Sequence, residues 1–417
     1  MQTVATTQHR IAMTLRGGHL LFPAMMPMIL FMLLGWPATA ASYEGFGAAA
    51  TGGTGHPTYR VTNCANDTRP GSLRDAVSQE KRHIVFEVAC GPSSGNPLVN
   101  FGNSWVYIHS HTTLAGETAP APGYQYLGTL AIGGQKCSPL CHNVIVRHMI
   151  YRPDGQTVTN FALKVERGAH TIVFDHNTLE GCGNDCIGIS ANEVVGGQTR
   201  YVDTRDITVS RNLINHPFRI DPGAEGTERG AETAMLVTNR ARRISVLHNL
   251  IYDSKRRNPR IMYDAAVDPT DTIVEIRHNL IYLVSGILGQ DGGIQLYDRV
   301  RGNVVHNYIK AKAGVTTAAH KKGMMVCRPD SHVEERPFCS TRAPVEKVYV
   351  AGNISDDGWS IYFNSKGTTG TPQPTPAGST MDACTAAQSV REDVGAQHKN
   401  DSDRTGLASI VLRGCQS

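Results

Sequence analysis

One pattern of apolar and polar positions recurs through the middle of the chain: an apolar residue, a spacer, a second apolar residue, two spacers, Asn, a spacer and a third apolar residue. It reads I-V-F-D-H-N-T-L around Asn177, I-T-V-S-R-N-L-I around Asn212, I-S-V-L-H-N-L-I around Asn249 and V-E-I-R-H-N-L-I around Asn279. Weaker copies surround Asn307 and Asn353, and N-V-I-V-R-H-M-I carries His148 at the Asn position. From 148 onward the copies are 29, 35, 37, 30, 28 and 46 residues apart, an internal repeat with insertions.

Each copy alternates apolar and polar residues and is rich in β-branched side chains, which predicts a strand with one inward face. Such a strand cannot bury that face alone, whereas coils stacked at this period share a continuous core. The predicted fold is all-β, a right-handed single-stranded parallel β-helix; a propeller usually needs a longer period for its four-stranded blades. The Asn has a job at a coil corner, where its amide can satisfy turn backbone groups and bond to the Asn of the next coil. Asn also tolerates the left-handed conformation a turn can require.

The ends read differently. G-S-L-R-D-A-V at 71–77 predicts a short amphipathic helix with Ser72 at its start, suited to cover the open end of the solenoid. Beyond about residue 365 the composition turns to Gly, Thr and Pro and the repeat stops. The expected organisation is a signal peptide over 1–40, the β-helix catalytic domain over 41–365, and an irregular tail over 366–417 folded back along the solenoid. The leader reading rests on Arg10 and Arg16, the apolar run Leu20 to Trp36, and small residues at Ala38, Thr39 and Ala40. That run is shorter than the roughly 20 residues a bilayer span needs.

Composition narrows the chemistry. The 417 residues include 40 Lys and Arg, 36 Asp and Glu, and 40% hydrophobic residues, so the chain is neither disordered nor strongly nucleic-acid-like. Without the leader it is close to neutral. All ten Cys lie beyond the leader, and in an exported protein an even count reads as disulfides. Neighbour pairing is expected: Cys64 with Cys90, Cys137 with Cys141, Cys182 with Cys186, Cys327 with Cys339, and Cys384 with Cys415. Zinc is disfavoured by the C-x-x-x-C spacing and by the oxidising compartment.

Several stretches, in order, resemble the pectate lyase family, in particular its secreted bacterial branch. They are G-F-G-A-A-A-T-G-G at 45–53, P-G-S-L-R-D-A-V at 70–77, T-L-A-G-E-T-A-P at 113–120, V-F-D-H-N at 173–177, H-N-L-I-Y at 248–252 and R-N-P-R at 257–260. The resemblance covers roughly residues 44 to 310. It implies a pectin-lyase-like parallel β-helix and eliminative cleavage of polygalacturonate (pectate) or another uronate polymer. A base removes the proton alpha to the uronate carboxylate, and the glycosidic oxygen leaves from the neighbouring carbon. Cations beside the carboxylate stabilise the enolate-like transition state more than the ground state.

In the family a calcium ion and basic side chains supply those cations, and the Arg of an R-x-P motif is the proton abstractor. Carried over residue by residue, that Arg is Arg257. Arg260 joins it as a catalytic candidate, because the family's second Arg would fall at Met262. Free guanidinium has a pKa above about 12, so the alternative role for Arg257 is a charged clamp on the carboxylate. Lys255 and Arg256 are candidate substrate binders, and Arg219 or Arg229 would replace an auxiliary Lys that has no secure match. From Arg240 to Arg260 seven basic residues face only Asp253, a stretch that attracts a polyanion but also suits a solvated strand edge.

Calcium, Ca2+, is the implied cofactor, with Asp185 and Glu166 as candidate ligands. The acid expected four residues after Asp185 is missing, since Ile189 stands there. Asp175 and His176 read as groups that orient a coil corner. The expected partner is an acidic polysaccharide, with no nucleic acid and no membrane after leader removal, and the protein is expected as a secreted or periplasmic monomer. A non-catalytic carbohydrate-binding or adhesive β-helix is the alternative, because a fold alone does not fix an activity.

Overall fold

A computed structural model of the chain describes residues 42–153, 161–183, 185–195, 198–215, 233–263, 272–284, 293–297, 299–312, 322–326, 347–356, 360–361 and 369–415. The signal-peptide reading of 1–40 therefore lies outside the described residues, as do Arg219, Arg229, Cys327 and Cys339.

The repeats are strands of a parallel β-helix with three faces per coil. Among the described residues the first face holds ten parallel strands, from Thr58–Val61 through His142–Arg147, His170–Asp175, Arg205–Ser210 and Arg242–Leu247 to Lys347–Ala351. Past the Asn corner, Thr178–Glu180, Leu213–Asn215 and Leu250–Tyr252 belong to the second face. Leu163–Glu166, Ile187–Ser190, Met235–Thr238, Arg260–Met262 and Ile294–Tyr297 belong to the third. The long strand Gln125–Gly133 pairs with both and joins these two faces into one sheet.

Alternation sets what goes inside. Val144, Ile172, Ile207, Ile244 and Val274 stand in register on successive coils, all fully buried. Coils about 4.8 Å apart bring these branched side chains into direct contact. Burying each contributes about 1.5–3 kcal/mol.

The corner ladder runs as the repeat predicts. The Asn177 amide donates to Oδ1 of Asn212 at 2.9 Å, Asn212 to Asn249 at 3.0 Å, and Asn249 to Asn279 at 3.0 Å. It continues through Asn307 to Asn353. Each receiving Oδ1 also accepts the backbone N–H of the preceding Asn, as at Asn177 N to Asn212 at 2.9 Å. Two details of the sequence reading change. His148 is paired in sequence order with His176, so Met149 occupies the Asn position, its N–H donating to Asn177 at 3.0 Å. The left-handed residue is the one before each Asn: His176, Arg211, His248 and His278 have φ between 51° and 59°. The His148 and His176 rings stack 4.9 Å apart, and the His248 and His278 rings lie 4.8 Å apart.

Helices pack on the solenoid at its N-terminal end and along its second face. The helix Leu73–Val77 starts at Ser72, whose hydroxyl accepts from Asp75 N at 3.1 Å, and it buries Leu73, Ala76 and Val77 in the main core. The tail does fold back along the solenoid, but it is not irregular. It carries helices Ala383–Glu392 and Asp401–Ala408, the first capped by Asp382 and the second by an Asn400–Asp403 capping box. Ala387, Val390, Val394 and Ile410 cover Leu213, Leu250, Leu280 and Tyr308 on the second face. Disulfides join Cys64 to Cys90, Cys137 to Cys141, Cys182 to Cys186, and Cys384 to Cys415, as neighbour pairing predicts.

The motif at 45–53 crosses the outside of the first face. Phe46 N donates to Ser245 Oγ at 3.0 Å, Gly47 N to Thr208 Oγ1 at 2.9 Å and Gly53 N to Thr113 Oγ1 at 2.8 Å. A Cβ on residue 47 would lie 2.3 Å from the Ile172 carbonyl oxygen, so only glycine lets the segment lie this close.

Candidate active site

Strand alternation also sets what faces out from the third face. Leu163 and Val165 point into the core, so Lys164 and Glu166 point away from it. Through the strand register, Ala131, Lys164 and Gly188 form one outward row, and Leu236, Arg260 and Gln295 continue it coil by coil. Loops that connect the second face to the third rise beside this row. They carry Asp185 in one coil and Lys255, Arg256 and Arg257 in another.

Arg257 lies next to Asp185 across the coils, its Nη1 donating to Oδ2 at 2.8 Å. Both are buried, Arg257 at 5% exposure and Asp185 at 0%. The backbone fixes the position, since the Arg257 carbonyl accepts from Met235 N at 2.9 Å and the Pro259 carbonyl from Gln295 N at 2.9 Å. Arg257 is left-handed, with φ 59°, as are many corner residues here, so its conformation alone marks nothing. Arg260 donates through Nε to Gln295 at 2.7 Å. Arg256 is buried, at 2% exposure, which is unlike the solvated strand edge that is the alternative to a binding role, and Lys255 is half-buried. Asp175 and His176 sit at the Asn corner, where the His176 ring meets Asp175 at 2.6 Å. That supports the orienting role read for them.

Lys164 escaped the sequence reading. Its side chain is buried and its ammonium lies over the Phe161 ring, 4.5 Å from the centroid. Burial pushes its pKa down to about 8 against the opposing pull of Glu166 and Asp185. The available signal was alternation in A-L-K-V-E, which turns a lysine outward two residues before Glu166. Burial raises the Tyr107 phenol, and the nearby Glu166 carboxylate adds to this.

Among the described residues, Asp185 and Glu166 are each engaged by an arginine. Among the described residues no three His, Cys, Asp or Glu side chains converge in a metal-holding group. Calcium takes six to eight oxygens, yet Asp185 is paired with Arg257 and Glu166 lies 3.1 Å from Arg167 Nε. Ile189 is inside the core, so the outward position beside Lys164 is Gly188, and it has no room for an acid. A Cβ there would lie 2.5 Å from the Phe161 ring and 3.1 Å from the Lys164 stem. Among the described residues, Asp185 and Glu166 do not make up the donor set that the ion takes.

No family model matches the chain. A probable pectate lyase C of Aspergillus fumigatus is 28% identical over 285 residues, covering 67% of this chain and 56% of the relative. One from Emericella nidulans is 27% identical over 281 residues, covering 67% and 55%. The chain thus spans a little over half the length of the relatives it matches. Among solved structures, the major allergen of cedar pollen superposes with a TM-score of 0.53 at 16% identity, covering 86% of this chain and 93% of that one. A Bacillus subtilis pectate lyase variant gives 0.51 at 15%, covering 86% and 98%. A pectate lyase bound to a hexasaccharide gives 0.51 at 14%, covering 87% and 98%. At these identities the structures speak to the fold alone. The chain is a parallel β-helix that resembles the pectate lyase family in both sequence and fold.

Proposed function

We propose that this protein is a secreted polysaccharide lyase that cleaves polygalacturonate, or a related uronate polymer, by β-elimination. One observation carries the reading: the Arg of the R-x-P motif lies beside an outward row of the β-helix that carries Arg260, with Lys255 and Arg256 on the same loop and Lys164 three coils along the row. Such a cluster suits a reacting carboxylate, whose charge grows as the alpha proton leaves. The similarity to proteins named pectate lyase supports the same reading. Disulfides support an oxidising, secreted or periplasmic location.

In this scheme Arg257 and Arg260 grip the uronate carboxylate, and the substrate exchanges with Asp185 for the Arg257 guanidinium. The ion pair supports the clamp role, because Asp185 stabilises a charged guanidinium. Proton abstraction by Arg257 would need that pair opened and the guanidinium neutral, and its signature is a rate that climbs with alkaline pH. Incubation with polygalacturonate tests the reading by ultraviolet absorbance. A growing signal from the unsaturated uronate end is expected. A folded protein that binds the polymer without producing that signal would leave the binding-protein alternative.

A further inference from the structure

A buried ammonium without opposing charge costs several kcal/mol, so Lys164 must be compensated by its surroundings. Glu166, two residues on, and Asp185, entering the next coil, both pull on it electrostatically. The Phe161 ring lies against the ammonium, and Gly188 leaves the space that the ring and the lysine stem fill. The chain therefore builds this spot around one particular cation.

We propose that the Lys164 ammonium, buried against the Phe161 ring beside Gly188, is the resident cation of this site where the family resemblance implies calcium, so that the site works without the metal. The catalytic half of this inference rests on the lyase reading; the identity of the cation does not. A lysine cannot leave, so chelators have nothing to remove. Arg257 and Arg167, which pair with Asp185 and Glu166, add further positive charge that disfavours a divalent ion.

The test is calorimetric titration of the native protein with calcium chloride, alongside polygalacturonate assays with calcium and with excess chelator. No saturable calcium uptake up to about 1 mM, the range of weak extracellular calcium modules, and equal rates in both assays are expected. Saturable uptake that Asp185→Asn abolishes, or a rate lost in chelator and restored by calcium, would overturn the proposal. Lys164→Asp exchanges the ammonium for a third carboxylate and is expected to gain calcium binding. A folded Lys164→Asp that binds no more calcium than the native protein would also count against it. Should that variant not fold, the native titration decides. If no product forms in either assay, the lyase reading fails while the titration still settles the cation.

Discussion

The corner from Asn177 to Asn353 repeats one neutral side chain coil after coil, whereas the row through Lys164 and Arg260 changes residue at every coil. At the corner each amide passes its hydrogen bond to the next, and no charge is buried in the ladder. Along and beside the row ions are buried among neutral residues, with partners from other coils, as Arg260 has Gln295 and Arg257 has Asp185. Repetition satisfies polar atoms cheaply but cannot place a unique charge. The site arises where the repeat is abandoned, and breaking either region should show which property each one holds.

The largest effect is expected at the site. Arg257→Lys keeps a charge but loses the planar fork and its reach. Steady-state assays on polygalacturonate should show the turnover rate falling by about 10²–10³-fold with the Michaelis constant little changed. A near-normal rate in the folded variant would shift the role to Arg260.

Acid should act on the neutral corner next. Burial lowers His148 to about 4, His248 to about 3 and His278 to about 4. Their contribution is full above the unfolded value near 6.5 and is lost as pH falls through that value toward the folded ones. Urea midpoints should therefore drop between pH 6.5 and 4, each histidine contributing a loss on the order of 3 kcal/mol. His176 runs the other way. Burial opposes its charge, but Asp175 and Asp393 prevail and raise its pKa. Its contribution is present below about 6.5 and fades as pH rises through the folded value. His176→Gln should remove only that alkaline-side loss, and an unchanged pH profile would refute the assignment.

Within the ladder, Asn249→Leu leaves the Asn212 amide and the Val209 carbonyl without their partner. Urea unfolding should show a loss of about 1–3 kcal/mol. The smallest effect belongs to neither region. Arg60 pairs with Glu87 at the exposed surface, so Arg60→Ala should change stability by under about 1 kcal/mol.

The ladder was legible because its signal repeats, and Asn212, Asn249 and Asn279 reinforce one another in sequence. The same logic misplaced His148, since Met149 gives no polar cue and the neighbouring histidine imitates one. Arg257 and Asp185 were each readable, but their pairing was not, because 72 residues separate them and only coil stacking brings them together. A shift of one residue hid the closed space at Gly188 behind Ile189. Helices in the tail were masked by its Gly, Thr and Pro content, although Asp382 and Asn400 stand at both starts as capping residues do.

The segment across the first face has a consequence in time. Phe46 bonds to Ser245, 199 residues later, and Gly47 to Thr208, 161 residues later. A ribosome adding about 10 residues per second needs roughly 20 s to supply the later partner. Through that interval the glycine-rich stretch has no surface to lie on. Its docking therefore reports that the central coils have been made and stacked, and protease cutting near residue 47 of nascent chains should persist until then.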